Sequence, residues 1–341
     1  MEPRQRLYHM ILGYRATQAI RAAAELGICD VLAAGPISSA DAAAAVTVDA
    51  AMLHRLLRLL AALGVVTEAA DGRFANTEMG DLLRAGVLGS LRSTAIGLGE
   101  ASWWNAWGAL PRGIRGEGIP FDLVNGRSSW EEMRDDPVVA ARFNSFMATQ
   151  TETFLPQLLR QFDFSAAAHV VDVGGGNGAL LAGILRANPR ARGTVCDLEA
   201  GLSGARQYLE AHGVADRCNL VAGSFFESVP AGADVYLLRL ILHDWPDDAA
   251  RTILAACRRA MRPGAQLLVI DTVLPDRAID DPDARVAFFY DVNMHVLYGG
   301  RERTESEVQA MLEAAGFTVN TVLATQPSAT LVATAVAPPG G

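Results

Sequence analysis

The stretch that most constrains this chain is His169 to Gly178, His-Val-Val-Asp-Val-Gly-Gly-Gly-Asn-Gly. Val170 to Val173 has strand character and runs straight into four glycines. A helical pattern follows at once in Ala179, Leu180, Leu181, Ile184 and Leu185. Strand, glycine turn and helix in that order form the first unit of a nucleotide-type α/β domain. The glycines let backbone approach a ligand that a Cβ would push away.

Gly174-x-Gly176-x-x-Ala179 also fits the dinucleotide fingerprint, so the glycines do not choose the ligand. Asp172 does more. It lies two residues before the first glycine, where its carboxylate would repel a pyrophosphate. S-adenosylmethionine (SAM) carries a sulfonium and an ammonium and no phosphate, so an acid there is tolerated or helpful. A second acid, Asp197, ends the next strand pattern, Thr194 to Cys196, the usual place for an acid that bonds both ribose hydroxyls.

Composition removes several other chemistries. All 29 basic residues are arginine. Without a lysine there is no Schiff-base chemistry of the pyridoxal or aldolase kind and no P-loop lysine. The formal net charge of −9 argues against a general nucleic-acid binder. No apolar run is long enough to span a bilayer, and the first residues lack a signal-peptide pattern. Cys29, Cys196, Cys218 and Cys257 are far apart with no C-x-x-C pair. They read as buried thiols of a cytoplasmic protein, not a disulfide frame or a metal site.

Residues 7–26 read as a helix closed by Gly27, 28–34 as a short helix, and Ser38 or Ser39 as the cap of another through 45. Residues 49–63 are apolar on most of their circumference, which predicts burial on more than one side. Val65–Glu68 and Arg73–Ala75 read as a hairpin around Asp71-Gly72. Helices followed by a hairpin make a winged-helix order. Residues 1–90, however, carry 8 Arg against 9 Asp plus Glu, with no basic excess for a nucleic-acid groove. The reading is an all-α winged-helix dimerisation domain over 1–90 that makes a homodimer. Residues 91–160 form a helical connector rich in aromatics, among them Trp103, Trp130 and Phe143. These are either core or the wall of a pocket for planar substrates. Asp122 to Ser129 reads as a loop. From 161 to 341 strands near 169–173, 193–197, 218–222, 234–240 and 265–271 alternate with helices, predicting a mostly parallel Rossmann-like sheet. Segments 317–324 and 329–336 should pair antiparallel across a Gln-Pro-Ser turn, and the Pro-Pro-Gly-Gly end reads as a frayed tail.

A second constellation is Leu-Ile-Leu-His-Asp-Trp-Pro-Asp-Asp at 240–248. His243 falls at the carboxyl end of the fourth strand, where open α/β sheets hold ligands, and is a candidate base. Asp244 is either a helix cap or a substrate contact. Asp271 ends the neighbouring strand pattern and could orient the imidazole. Glu302 follows a Tyr-Gly-Gly-Arg turn. Asp291 and Asn293 are too thin a pair for a metal site, and Asn293 and Met294 are read as pocket wall.

These motifs in this order resemble the bacterial and plant small-molecule O-methyltransferases of the caffeate, hydroxyindole and polyketide type. The likeness covers nearly all of the chain and also rests on Asp163-Phe-Ser165, Gly223-Ser-Phe-Phe-Glu-Ser-Val-Pro230 and Gly299-Gly-Arg-Glu-Arg-Thr304. It implies a SAM-dependent methyl transfer to an aromatic hydroxyl of a secondary metabolite, with His243 as base beside Asp271 and Glu302. Many relatives have Glu where this chain has Asp271. The resemblance puts Asp172, Gly174, Gly176, Asp197 and Leu198 around the cofactor. Ser224 stands where relatives have an acid for the adenine amine. Phe225 would stack on adenine, and Arg239 takes a lysine position. Phe143, Met147 and Thr151 match a triplet that borders cofactor and substrate. Three other readings compete: a relative that has turned SAM to hydroxylation or decarboxylation, a nicotinamide dehydrogenase, and a winged-helix regulator. The second is disfavoured by Asp172 and the third by the charge count.

Overall fold

The computed structural model describes residues 2–325 and 328–336 and divides into two compact units between Trp104 and Asn105. The first unit opens with the helix Pro3–Glu25, its proline in the first turn where no intrahelical N–H bond is needed. Ser38 caps the helix Ser39–Val46 by accepting from the Asp41 amide, and Asp49 caps Ala50–Ala62 through the Met52 amide. Strands β1 (Ile37–Ser38), β2 (Val66–Glu68) and β3 (Arg73–Asn76) make an antiparallel sheet in the order β1-β3-β2. The two residues of β1 are too few to show a period. Its core gathers Ile28, Leu32, Leu53, Leu57, Leu60 and Phe74.

The expectation that 49–63 is buried on several sides needs correction. Leu53, Leu57 and Leu60 form one buried stripe, while Met52 and Leu59 are exposed. Leu7, Tyr8, Met10, Ile11 and Tyr14 of the first helix are exposed as well. Trp103, read as pocket wall, belongs to this first unit and not to the unit that holds the cavity described below.

The second unit is built on the strands β4 (His169–Val173), β5 (Arg192–Asp197), β6 (Cys218–Ala222), β7 (Val235–Arg239), β8 (Gln266–Leu274), β9 (Arg303–Thr304), β10 (Phe317–Thr325) and β11 (Ser328–Ala335). The main order is β10-β11-β8-β7-β4-β5-β6, with β9 beside β8. Strands β4 to β8 are parallel, and β11 runs antiparallel to both β8 and β10. Alternate residues serve opposite faces. Val171, Tyr236, Leu238 and Val269 pack on Ile253 and Leu254, while Val170, Leu237, Leu268 and Ile270 pack on Leu181, Ile184 and Leu185. Burial on both faces explains why these strands read as continuous apolar runs. Chain order reverses around β4 and β7, so their carboxyl ends open the crevice where such sheets hold ligands.

Strand β8 runs past Asp271 to Leu274 because Val273 and Leu274 pair with β9, so Asp271 lies within the strand and does not end it. The segment expected to be a loop at 122–129 is partly helical. Pro120–Asn125 starts on a proline and stops at left-handed Gly126, and Ser128 with Glu131 forms a capping box for Ser129–Asp135. Both helices are too short to display a hydrophobic period. The Gln326-Pro327 part of the expected turn and the Pro338–Gly341 tail lie outside the described residues. Among the described residues no helix is long and apolar enough to cross a membrane.

Candidate active site

A cavity of about 460 Å³ opens at the carboxyl ends of β4, β5 and β7, within the range of small-molecule sites. Its floor is the glycine turn. Gly174 and Gly176 have φ of 72° and 55°, and a Cβ on Gly175 would stand 2.6 Å from Cγ of Asp172. Only glycine fits this fold-back. Asp197 accepts from the Gly176 amide at 2.8 Å and the Leu198 amide at 2.6 Å, which ties the turn to the end of β5. A carboxylate has about four acceptor positions, so Asp197 keeps capacity for ligand hydroxyls.

Asp172 is buried, and its Oδ2 has no hydrogen-bond partner. Burial raises its pKa to about 7 although nearby Arg239 favours the charged form. Four acids line the cavity (Asp172, Asp197, Glu199 and Asp244) against two arginines, Arg134 and Arg239. Such a lining suits a ligand that brings positive charge and opposes a pyrophosphate. Ser224, Phe225, Leu198, Phe143, Met147 and Thr151 share this wall as the motifs predict. Thr151 spends its hydroxyl proton on the Met147 carbonyl, 2.8 Å away. The acids, the Cβ-free cradle and the aromatic wall fit SAM.

Strand β7 ends at Arg239, and Leu240 takes a left-handed φ of 53°, strained for a residue other than glycine. That bend sends the chain into the short 3-10 turn Leu242–Asp244. Glu302 accepts from Nδ1 of His243 at 2.8 Å, which leaves Nε2 3.5 Å from Oδ1 of Asp244. His243, Asp244, Asp271 and Glu302 are all buried. Burial disfavours a charged imidazole. The carboxylates of Glu302 and Asp244, with Asp271 beyond, outweigh that penalty and push His243 up to about 10. Burial lifts Asp244 and Asp271 to about 7 against the pull of the imidazole charge.

Asp244 is not a helix cap. The helix Asp247–Ala260 begins after Pro246 with no side-chain cap, and Asp244 turns to the cavity instead. The imidazole donates to Glu302, while Asp271 adds only charge and its Oδ1 is buried without a partner among the described residues. Asn293 takes the indole N–H of Trp107 at 3.0 Å, and Met294 is buried. Neither lines this cavity.

Sequence reasoning missed three supports. Gly300 passes so close to His243 and Asp244 that a Cβ would strike their backbone, and the Arg301 amide bonds the His243 carbonyl at 2.9 Å. Arg303 is buried and clamps the same turn through the carbonyls of Leu242, 2.8 Å, and Trp245, 2.9 Å. Asn144 reaches from the helix Pro137–Gln161 toward the carbonyls of Gly201 and Ser203. The glycines of the Gly-Gly-Arg-Glu-Arg-Thr motif were the available signal for the first of these. Trp130 also enters the wall, stacked on Trp245 at 5.5 Å and on Tyr298 at 4.8 Å.

A Rossmann-like sheet with a phosphate-averse, acid-lined cavity at its switch point defines a SAM-dependent methyltransferase fold. Residues 107–318 match the O-methyltransferase domain family and residues 8–86 the O-methyltransferase dimerisation domain. The chain belongs to the SAM-dependent O-methyltransferase family. It is 38% identical over 312 residues to mitomycin biosynthesis 6-O-methyltransferase of Streptomyces lavendulae, covering 91% of this chain and 88% of that one. It is 37% identical over 329 residues to phenazine O-methyltransferase of Lysobacter antibioticus, covering 96% and 94%. The human N-acetylserotonin methyltransferase structure in complex with SAM superposes with a TM-score of 0.88 at 26% identity, over 99% of each chain. Some similar proteins are N-methyltransferases.

Proposed function

We propose that this enzyme methylates a phenolic hydroxyl of an aromatic secondary metabolite, with His243 as general base. The observation that carries the reading is the asymmetry of the imidazole. Nδ1 is held by Glu302 at 2.8 Å, and Nε2 lies 3.5 Å from Asp244, which lines the cavity while His243 sits directly behind it. When bound, SAM supplies an electrophilic methyl on a positively charged sulfur. Gly174, Gly176, Asp172, Asp197, Leu198, Ser224, Phe225 and Arg239 would hold it.

A free phenol has a pKa of about 10, so little phenolate exists at neutral pH. Neutral His243 takes the hydroxyl proton at Nε2 as the oxygen acquires the methyl. Glu302 fixes the tautomer and stabilises the imidazolium, as an acid does in hydrolase triads. Phe143, Met147 and Trp130 offer flat apolar surface to an aromatic acceptor. The named relatives are an O-methyltransferase of mitomycin biosynthesis and a phenazine O-methyltransferase, which supports an aromatic acceptor.

The test is mass spectrometry of enzyme, SAM and matched pairs of acceptors, phenol against aniline on the same ring system. The expected result is a gain of one methyl on the phenols. Methylation of the anilines alone would overturn the oxygen assignment. Consumption of SAM-dependent substrate without methyl gain would favour the hydroxylase or decarboxylase reading.

A further inference from the structure

Glu302 and Asp244 flank the His243 imidazole at 2.8 and 3.5 Å with Asp271 farther off, and each of the four residues is at most 7% exposed. Even with His243 charged, this cluster holds more acid than base. The nearest arginines do not correct it. Arg303 acts on Asp271 only in part, because its guanidinium is bonded to the carbonyls of Leu242 and Trp245 and to Asp247. Arg239 lies toward Asp172 as well as Asp271. Tyr290 stands near Glu302, and Tyr298 near Asp244. With so little water at hand, the excess negative charge is neutralised most readily by a proton on the ring. A base that rests protonated cannot act, yet Nε2 of the ring faces Asp244, which lines the cavity.

We infer that the carboxylate cage keeps resting His243 protonated, and that a cationic ligand in the adjoining cavity drives this proton off, so that the charge of the methyl donor arms the base. The inference rests on the base reading above. A ligand cation and the imidazolium compete for the same carboxylates. A unit charge about 6 Å away at an effective dielectric of about 20 changes proton affinity roughly a hundredfold. That brings a ring titrating at about 10 near the working range of an enzyme.

The protons balance over a turnover. One leaves Nε2 for solvent when the cation enters. The acceptor's hydroxyl proton then refills the ring as the oxygen–carbon bond forms and the carbon–sulfur bond breaks, its electron pair staying on sulfur. The sulfur is now neutral, and the cage holds the ring in its resting form again.

The experiment is titration calorimetry of the full chain near pH 9 in buffers of different ionisation heat. The ligands are SAM, an analogue with an ammonium in place of the sulfonium, and S-adenosylhomocysteine. Subtracting the His243→Gln variant removes the ligands' own titration. Release of most of one proton with each cationic ligand, and almost none with S-adenosylhomocysteine, is expected. Equal release for charged and uncharged ligands overturns the inference, as does full release in His243→Gln. Should that variant fail to bind, nitrogen NMR of the parent's labelled histidines replaces it. The His243 ring must turn from imidazolium to neutral with SAM and stay imidazolium with S-adenosylhomocysteine; a ring neutral without ligand overturns the inference. The two readings separate in one variant. If His243→Gln keeps parental turnover, the base assignment falls. If turnover collapses while proton release is the same for both ligand classes, only the arming falls.

Discussion

At the scale of single residues, the proposed chemistry turns on His243 and its partner Glu302. Positioned general bases contribute about 10²–10⁴-fold. His243→Ala should lose turnover of that order and bind SAM as the parent does; kinetics and calorimetry check both halves. The rate should rise with pH as the ring loses its proton. The acid limb should lie above the ordinary histidine value, because the facing carboxylates push His243 up. Glu302→Gln removes one of those charges and must move the limb to lower pH; a limb that stays put or rises would contradict the pairing. His243 and Glu302 were legible in the sequence from their motifs. Asp244 was ambiguous there, because an acid ahead of Pro246 looks the same whether it caps a helix or faces a cavity. Only the fold showed which carboxylate bonds Nδ1, since 59 residues separate His243 from Glu302.

At the scale of elements, the turn that carries His243 is held by the glycine-rich loop before β9. Gly300 lets that loop lie against the backbone of His243 and Asp244. Gly300→Ala must push the two apart, and overpacking of this kind costs about 1–3 kcal/mol. A lower melting temperature is expected, together with a pH profile shifted as in Glu302→Gln, because the same displacement lengthens the His243–Glu302 bond. Unchanged melting and an unchanged profile would show that the loop is not what places Glu302. The central strands β4, β7 and β8 were legible because burial on both faces leaves unbroken apolar runs. The helices Pro120–Asn125 and Ser129–Asp135 were not, since six or seven residues show caps before they show a period.

At the scale of the whole molecule, the exposed Leu7, Tyr8, Met10, Ile11 and Tyr14 are the proposed interface of a homodimer, in keeping with the dimerisation-domain match at 8–86. Contiguous apolar surface on a soluble chain marks an interaction site. Sedimentation at micromolar concentration should show a dimer. Leu7→Glu with Ile11→Glu should give monomers that keep their helical circular dichroism, because neither side chain is in the core. A parental monomer would contradict the interface. The net charge of −9 and the lack of a basic excess over residues 1–90 are the grounds for expecting no nucleic-acid partner.

By itself the sequence determined the alternation of strand and helix, the glycine cradle, the acids at Asp172 and Asp197, and the histidine at a strand end. These are local: each follows from a period, a turn or a neighbour within a few residues. The tertiary structure decided the rest. It buried three carboxylates around one imidazole, chose Glu302 over Asp271 as the hydrogen-bond partner, turned Asp244 to the cavity and brought in Arg303 and Gly300 as supports. Those outcomes depend on which distant segments meet and how completely water is excluded where they do, and an electrostatic balance of that kind exists only in the folded chain.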